Sequence, residues 1–158
     1  WPREGCLLGK EVETYVAFEA EGYTIIPLKA DHAPSLEPVF YSIEKDGKRI
    51  LYAHDTGYFP EETWEFLSQI DGVFDFVSLD CTEILQDDLR ENHMGLQVCT
   101  DVRERLINMG RCNMHTIFCL NHFSHNSKHV LYHEFVQIAK EHDFLVTYDG
   151  MIYELMRK

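Results

Sequence analysis

RILYAHDTGYFPEETWEFLSQIDGVFDFVSLD, residues 49–80, reads as strand, helix, strand. RILYAHD is rich in β-formers and breaks at Thr56-Gly57. Pro60-Glu61-Glu62 then opens a helix over PEETWEFLSQI, because proline suits a first helical turn and acids suit the positive end of the helix dipole. FDFVSLD is a short apolar run with the length of a buried strand. Working toward the C-terminus, residues 83–92 are polar and acidic and read as a loop. GLQVCTDVRERLINMG carries Leu96, Val98, Val102, Leu106 and Met109 at helical spacing and stops on Gly110. TIFCLN reads as a strand, HVLYHEFVQIAKEH as a helix, and FLVTYDGMIYEL as a closing hairpin that turns at Asp149-Gly150. This alternation of strands and helices argues for an α/β layer.

Working toward the N-terminus, the pattern changes. EVETYVAFEA (11–20) alternates and reads as a strand, Gly22 as a turn, and YTIIPLKA as a second strand. PVFYSIE and RILYAHD flank KDGK, and Asp46-Gly47 between β-rich runs is a strong hairpin signal. The first part is therefore antiparallel, and the expectation is one domain with a mixed sheet and flanking helices.

The chain has 158 residues, 45% of them hydrophobic and 13% aromatic, enough for a packed core and unlike a disordered segment. With 14 basic against 27 acidic residues the formal net charge is −13, which argues against a broad nucleic-acid footprint. An acidic chain is suited to holding cations, which supply the positive charge an anionic substrate needs. The five cysteines show no CxxC pair and read as reduced thiols of a cytoplasmic protein, with Cys119 in the core. No apolar run approaches the roughly 20 residues needed to span a bilayer, and no signal peptide is seen. The chain opens on Trp1 rather than Met, which points to a processed or partial chain.

Several strand-like runs end on chemistry-bearing residues: IIPLKADH on His32, RILYAHD on Asp55, FDFVSLD on Asp80 and TIFCLN on His122. Groups placed so share one sheet edge, where they can converge on a divalent metal. A lone His32 is equally a packed or surface histidine. Asp55, followed by Thr-Gly, caps a turn or, with two oxygens, bridges two metals about 3.5–4 Å apart. His54 faces away from it if the strand continues. The run LNHFSHN, with His122, Ser124, His125 and Asn126, has little packing value and is the densest polar cluster. His93 precedes the helix of 96–109 and suits phosphate binding or proton donation, with Asn92 as the helix cap in the structural alternative. Asp80 either accepts a hydrogen bond from a ligand imidazole or starts a loop. His129 and His133, four apart on a helix, read as a solvated face.

PLKADH, the hairpin leading to HDTG, FDFVSLDCTE, NHMGLQ, LNHFSHN and YDGMIYEL, in this order, resemble the C-terminal part of a metallo-β-lactamase-fold hydrolase, an αββα fold. The likeness covers about residues 15–155 and is nearest to the cyclic-phosphate phosphodiesterases of phosphonate breakdown. It implies that His32 and His122 are ligands of one metal each and that Asp55 bridges them. It also implies that His93 contacts the substrate phosphate and protonates the leaving group, and that His125 lies near the substrate. The cofactors it implies are two zinc or manganese ions, and the substrate a small phosphate ester. NHMGLQ and LNHFSHN also resemble transfer-RNA 3′-processing endonucleases of the same fold. The HxHxDH motif that supplies four of the family's usual metal ligands is absent from this sequence. The expectation is thus a partial domain over residues 1–158, inactive alone, whose exposed sheet face drives homo-oligomerisation. A non-catalytic interaction module is the remaining reading.

Overall fold

The computed structural model describes residues 11–86, 90–124 and 130–155. Seven strands form one mixed sheet in chain order: β1 (Phe18–Ala20), β2 (Tyr23–Lys29), β3 (Val39–Lys45), β4 (Lys48–Ala53), β5 (Phe76–Asp80), β6 (Ile117–Asn121) and β7 (Leu145–Val146). The pairings β1–β2, β2–β3 and β3–β4 are antiparallel. Those from β4 to β7 are parallel. The α/β class and mixed sheet expected from the sequence are therefore found. The helices are α1 (Glu61–Gln69), α2 (Leu96–Asn108) and α3 (Tyr132–Glu141).

Local chemistry explains the joints. Asp46 and Gly47 both have positive φ, at 52° and 72°, the mirror-image turn that matches the twist of a two-residue hairpin. Pro60 sits at the N-cap of α1 and its carbonyl accepts from the Thr63 and Trp64 amides. Glu61 in the first turn pairs with Arg105 of α2, which holds its carboxyl below the usual range. The Arg105 guanidinium also lies 4.4 Å from the Trp64 ring centroid, tying the two helices together.

Leu51, Val77 and Phe118 lie side by side in register on one sheet face, and Ala53, Leu79 and Leu120 follow. These residues share one buried core with Trp64 and Leu67 of α1, Val98, Val102 and Leu106 of α2, and Phe135 and Ala139 of α3. Ile50, Tyr52 and Phe76 point to the opposite face, where Tyr52 is 44% exposed. The described cysteines, Cys81, Cys99, Cys112 and Cys119, are free and buried, and burial pushes the Cys112 thiol up to about 12 and Cys119 to about 11. Among the described residues no helix is long and apolar enough to cross a membrane.

Three sequence expectations need correction. The strand expected over 11–20 exists only at Phe18–Ala20, because Tyr15 takes a left-handed φ of 67°. That turn stacks its ring 5.0 Å from Phe66 and brings its hydroxyl 3.0 Å from Thr63 Oγ1. The closing hairpin does not form. The chain turns at Asp149-Gly150, but Tyr153 lies 5.6 Å from Phe76 across the sheet instead of pairing with β7. The last helix starts at Tyr132, three residues after its expected start at His129, a residue outside those described.

Candidate metal centre

Two antiparallel steps make β2 parallel to β4, so β2, β4, β5 and β6 all end at the same edge of the sheet. His32, Asp55, Asp80 and His122 stand at or just beyond those ends, as the sequence suggested. Asp55 and His122 both adopt left-handed backbone, with φ of 49° and 61°. Each such non-glycine residue costs on the order of 1–3 kcal/mol and persists only where its surroundings over-determine it. The surroundings of His122 do so: Asn121 Oδ1 accepts its amide at 2.7 Å, and the Thr82 hydroxyl donates to its carbonyl at 2.7 Å.

The side chains converge. One donor atom from each of Asp55, Asp80, His93 and His122 lies within 4.8 Å of the others. His122 Nε2 is 3.2 Å from Asp55 Oδ1, and His93 Nδ1 is 2.9 Å from Asp80 Oδ2. The imidazoles form a file: His32 to His93 at 4.9 Å between ring centroids, His93 to His122 at 5.7 Å and His122 to His54 at 6.0 Å. His125, expected near the substrate, lies outside the described residues.

The two carboxylates differ in what they have left to offer. Asp80 is fully buried, and both its oxygens take protein donors: the Thr82 amide at 2.9 Å on Oδ1, and the His93 ring and the Thr56 amide (3.4 Å) on Oδ2. It orients its neighbours, the role the sequence left open for it. The side chain of Asp55 is 59% exposed, and its only ion-pair partner among the described residues is His122. No Lys or Arg among them pairs with either carboxylate. His32 Nδ1 is buried with no hydrogen-bond partner. His32 is not in the group of four, and its ring neighbours His93 instead. The His93 and His122 imidazoles with the Asp55 and Asp80 carboxylates make a nitrogen–oxygen set that suits a divalent metal.

Sequence reasoning missed the knot that holds these loops together. Thr56 is fully buried; its hydroxyl accepts the Asp31 amide at 3.0 Å, beside His32, while its own amide reaches Asp80. The Gly57 amide donates to Asp31 O, and the Tyr58 amide to Arg90 O, in the loop that leads to His93. A Cβ on Gly57 would stand 2.3 Å from Arg90 O, so glycine is required by close approach rather than by φ. The Thr-Gly after Asp55 was the available signal. Asn92 does not cap α2; that place belongs to Gly95, and Asn92 turns the loop with φ of 65°. His54 is nearer the site than expected. Its Nε2 lies 2.7 Å from Ser78 Oγ, its ring lies 3.9 Å from Tyr52, and burial followed by the nearby His122 lowers its pKa to about 4.

This edge can be set beside known proteins. Comparison with curated proteins finds no match. The chain is similar in structure to the metallo-beta-lactamase fold protein YhfI from Bacillus subtilis, with 13% identity, TM-score 0.70, and coverage of 96% of this chain and 58% of that one. It is also similar to Igni18, a metallo hydrolase of Ignicoccus hospitalis, with 19% identity, TM-score 0.67, and coverage of 95% and 62%. Zn(2+)-bound PqqB from Methylobacterium extorquens matches with 14% identity, TM-score 0.57, and coverage of 92% and 52%. The chain thus spans less than two thirds of the length of these structures, and the likeness shows the fold. Residues 8–115 match the model of the beta-lactamase superfamily domain, in keeping with the fold that the motif resemblance implied; the chain belongs to that family.

Proposed function

We propose that this domain is part of a metal-dependent phosphodiesterase that attacks a small phosphate ester with a metal-activated water. The observation that carries the reading is the pair His122 Nε2 and Asp55 Oδ1, 3.2 Å apart at a strand-end edge where no Lys or Arg among the described residues balances the carboxylate. In this reading Asp55 and His122 would hold metal, with Asp55 shared between two ions and His32 joining them as the resemblance implies. Bound divalent ions would lower the pKa of water and neutralise charge building on phosphorus. His93, held through Nδ1 by Asp80, would turn Nε2 toward the substrate and, as the imidazolium, could donate from it to the phosphate and protonate the leaving oxygen.

Three such ligands are too few for two ions, since a catalytic zinc takes about three protein ligands of its own. We propose that donors from outside these 158 residues complete the site. A groove of about 800 Å³ runs from His122 and Asn121 past Tyr52 and Phe76 along the open sheet face. It is where a further layer, a second copy of the chain included, would seat. The formal charge of −13 weighs against an RNA substrate.

The test is hydrolysis of bis(p-nitrophenyl) phosphate with manganese by the full-length protein. Asp55→Ala is expected to abolish turnover, and retained turnover discards the bridging role. Tight transfer-RNA binding at moderate salt would replace the small ester by an RNA substrate.

A further inference from the structure

We propose that Thr82 is a positioning residue that keeps the proton of His122 on Nδ1 and so turns the Nε2 lone pair toward Asp55. The inference rests on the metal reading above for its purpose, but its geometry stands by itself. Thr82 Oγ1 lies 2.8 Å from His122 Nδ1 and 2.7 Å from the carbonyl oxygen of the same residue. A hydroxyl has one hydrogen and two lone pairs, and a carbonyl oxygen only accepts. The hydroxyl hydrogen therefore goes to the carbonyl, and the contact with the ring is made by Nδ1–H donating to Oγ1. Asp80 Oδ2, a second acceptor, stands 3.4 Å from the same nitrogen.

A neutral imidazole carries one N–H, so Nε2 is left with a lone pair. That lone pair faces the Asp55 carboxylate oxygen at 3.2 Å. Two acceptors this close repel each other unless a proton or a metal cation joins them. In the opposite tautomer Nε2–H would donate to Asp55 and Nδ1 would take the threonine hydrogen. The 2.7 Å contact between Thr82 Oγ1 and the His122 carbonyl would then hold two oxygens with no hydrogen between them.

Thr82 is itself held in place. Its amide donates to Asp80 Oδ1 at 2.9 Å and its carbonyl accepts the Ser124 amide at 3.3 Å. The same buried Asp80 takes the ring hydrogen of His93. Thr82 and Asp80 thus act as a pair, each setting which nitrogen one imidazole presents.

The experiment is long-range ¹H–¹⁵N correlation of the imidazole rings in the metal-free chain at about pH 8.5, well above the ordinary histidine pKa of about 6.5. The His122 signal is assigned by its loss in His122→Gln. The wild-type ring is expected as the Nδ1–H tautomer; an Nε2–H ring overturns the proposal, and this measurement decides even if a variant fails to fold. Thr82→Val should shift the ring toward Nε2–H and, in the full-length protein, weaken zinc binding, read by competition with a chromophoric chelator, by about 10–100-fold. Thr82→Ser, which keeps the hydroxyl, should restore both. An unchanged tautomer in Thr82→Val overturns the proposal. A full-length protein that binds no zinc counts against the metal reading alone, because the tautomer is measured without metal.

Discussion

The two edges of the sheet treat their carboxylates in opposite ways. At the edge where β3 turns into β4, Asp75 and Glu44 each have a cation: Lys48 Nζ lies 2.6 Å from Asp75 Oδ1, and Arg49 grips Glu44 through Nε and Nη2 at 2.8 and 2.6 Å. At the edge where β2, β4, β5 and β6 end, Asp55 and Asp80 meet imidazoles, a hydroxyl-bearing residue and backbone amides, with no Lys or Arg partner among the described residues. Asp75 and Asp80 sit in the same seven letters, FDFVSLD. One is a clamp closed by protein cations, whereas the other orients the imidazole and the backbone amides of the candidate metal centre. Charge balance, more than residue type, separates a structural edge from a chemical one.

The sharpest way to break this contrast is Asp55→Asn in the full-length protein with manganese. Asparagine tolerates left-handed backbone, so stability should move by less than about 0.5 kcal/mol in urea unfolding. Phosphodiester turnover should fall about a thousand-fold, about 4 kcal/mol of barrier; a small loss would show that Asp55 is only a turn residue. Asp80→Ala comes next. It strands the Thr82 amide and the His93 ring hydrogen, and the fold should lose about 3 kcal/mol, seen as a lower urea midpoint. A cost below about 1 kcal/mol would mean that water replaces the carboxylate easily.

Gly57→Ala tests the knot instead of the charges. The new Cβ collides with Arg90 O, so the His93 loop must move, at about 2 kcal/mol by overpacking. Hydrogen exchange should speed up at the Tyr58 amide, and unchanged exchange there would dismiss the knot as a site-holding device. The smallest effect is expected at the far edge. Asp75→Ala breaks a partly exposed ion pair and should cost about 1 kcal/mol while leaving zinc affinity unchanged by chelator competition. A drop in zinc affinity there would mean that the two edges are not independent.

Much of this was legible because it is local. Apolar spacing in 96–109, the Asp46-Gly47 turn and the acids after Pro60 each specify structure through neighbours a few residues away. The errors came where a distant partner overrides the local pattern. EVETYVAFEA alternates like a strand, yet Tyr15 leaves the extended region to pack on Phe66 and Thr63 of α1. Likewise Leu155 and its neighbours did not return as a strand, because Tyr153 packs on the open face of β5.

The sequence by itself determined the α/β class, the strand ends and the residues that stand there, since periodicity and turn chemistry act over short range. Only the tertiary structure decided which of those residues work together. Thr82 and His122 are 40 positions apart, and their contact exists because β5 and β6 pair in parallel and release both chains at one edge. Which nitrogen of His122 is free, which carboxylate is spent and which is open follow from hydrogen bonds across those strand ends. A one-dimensional pattern does not contain such bonds, because they depend on the register between strands.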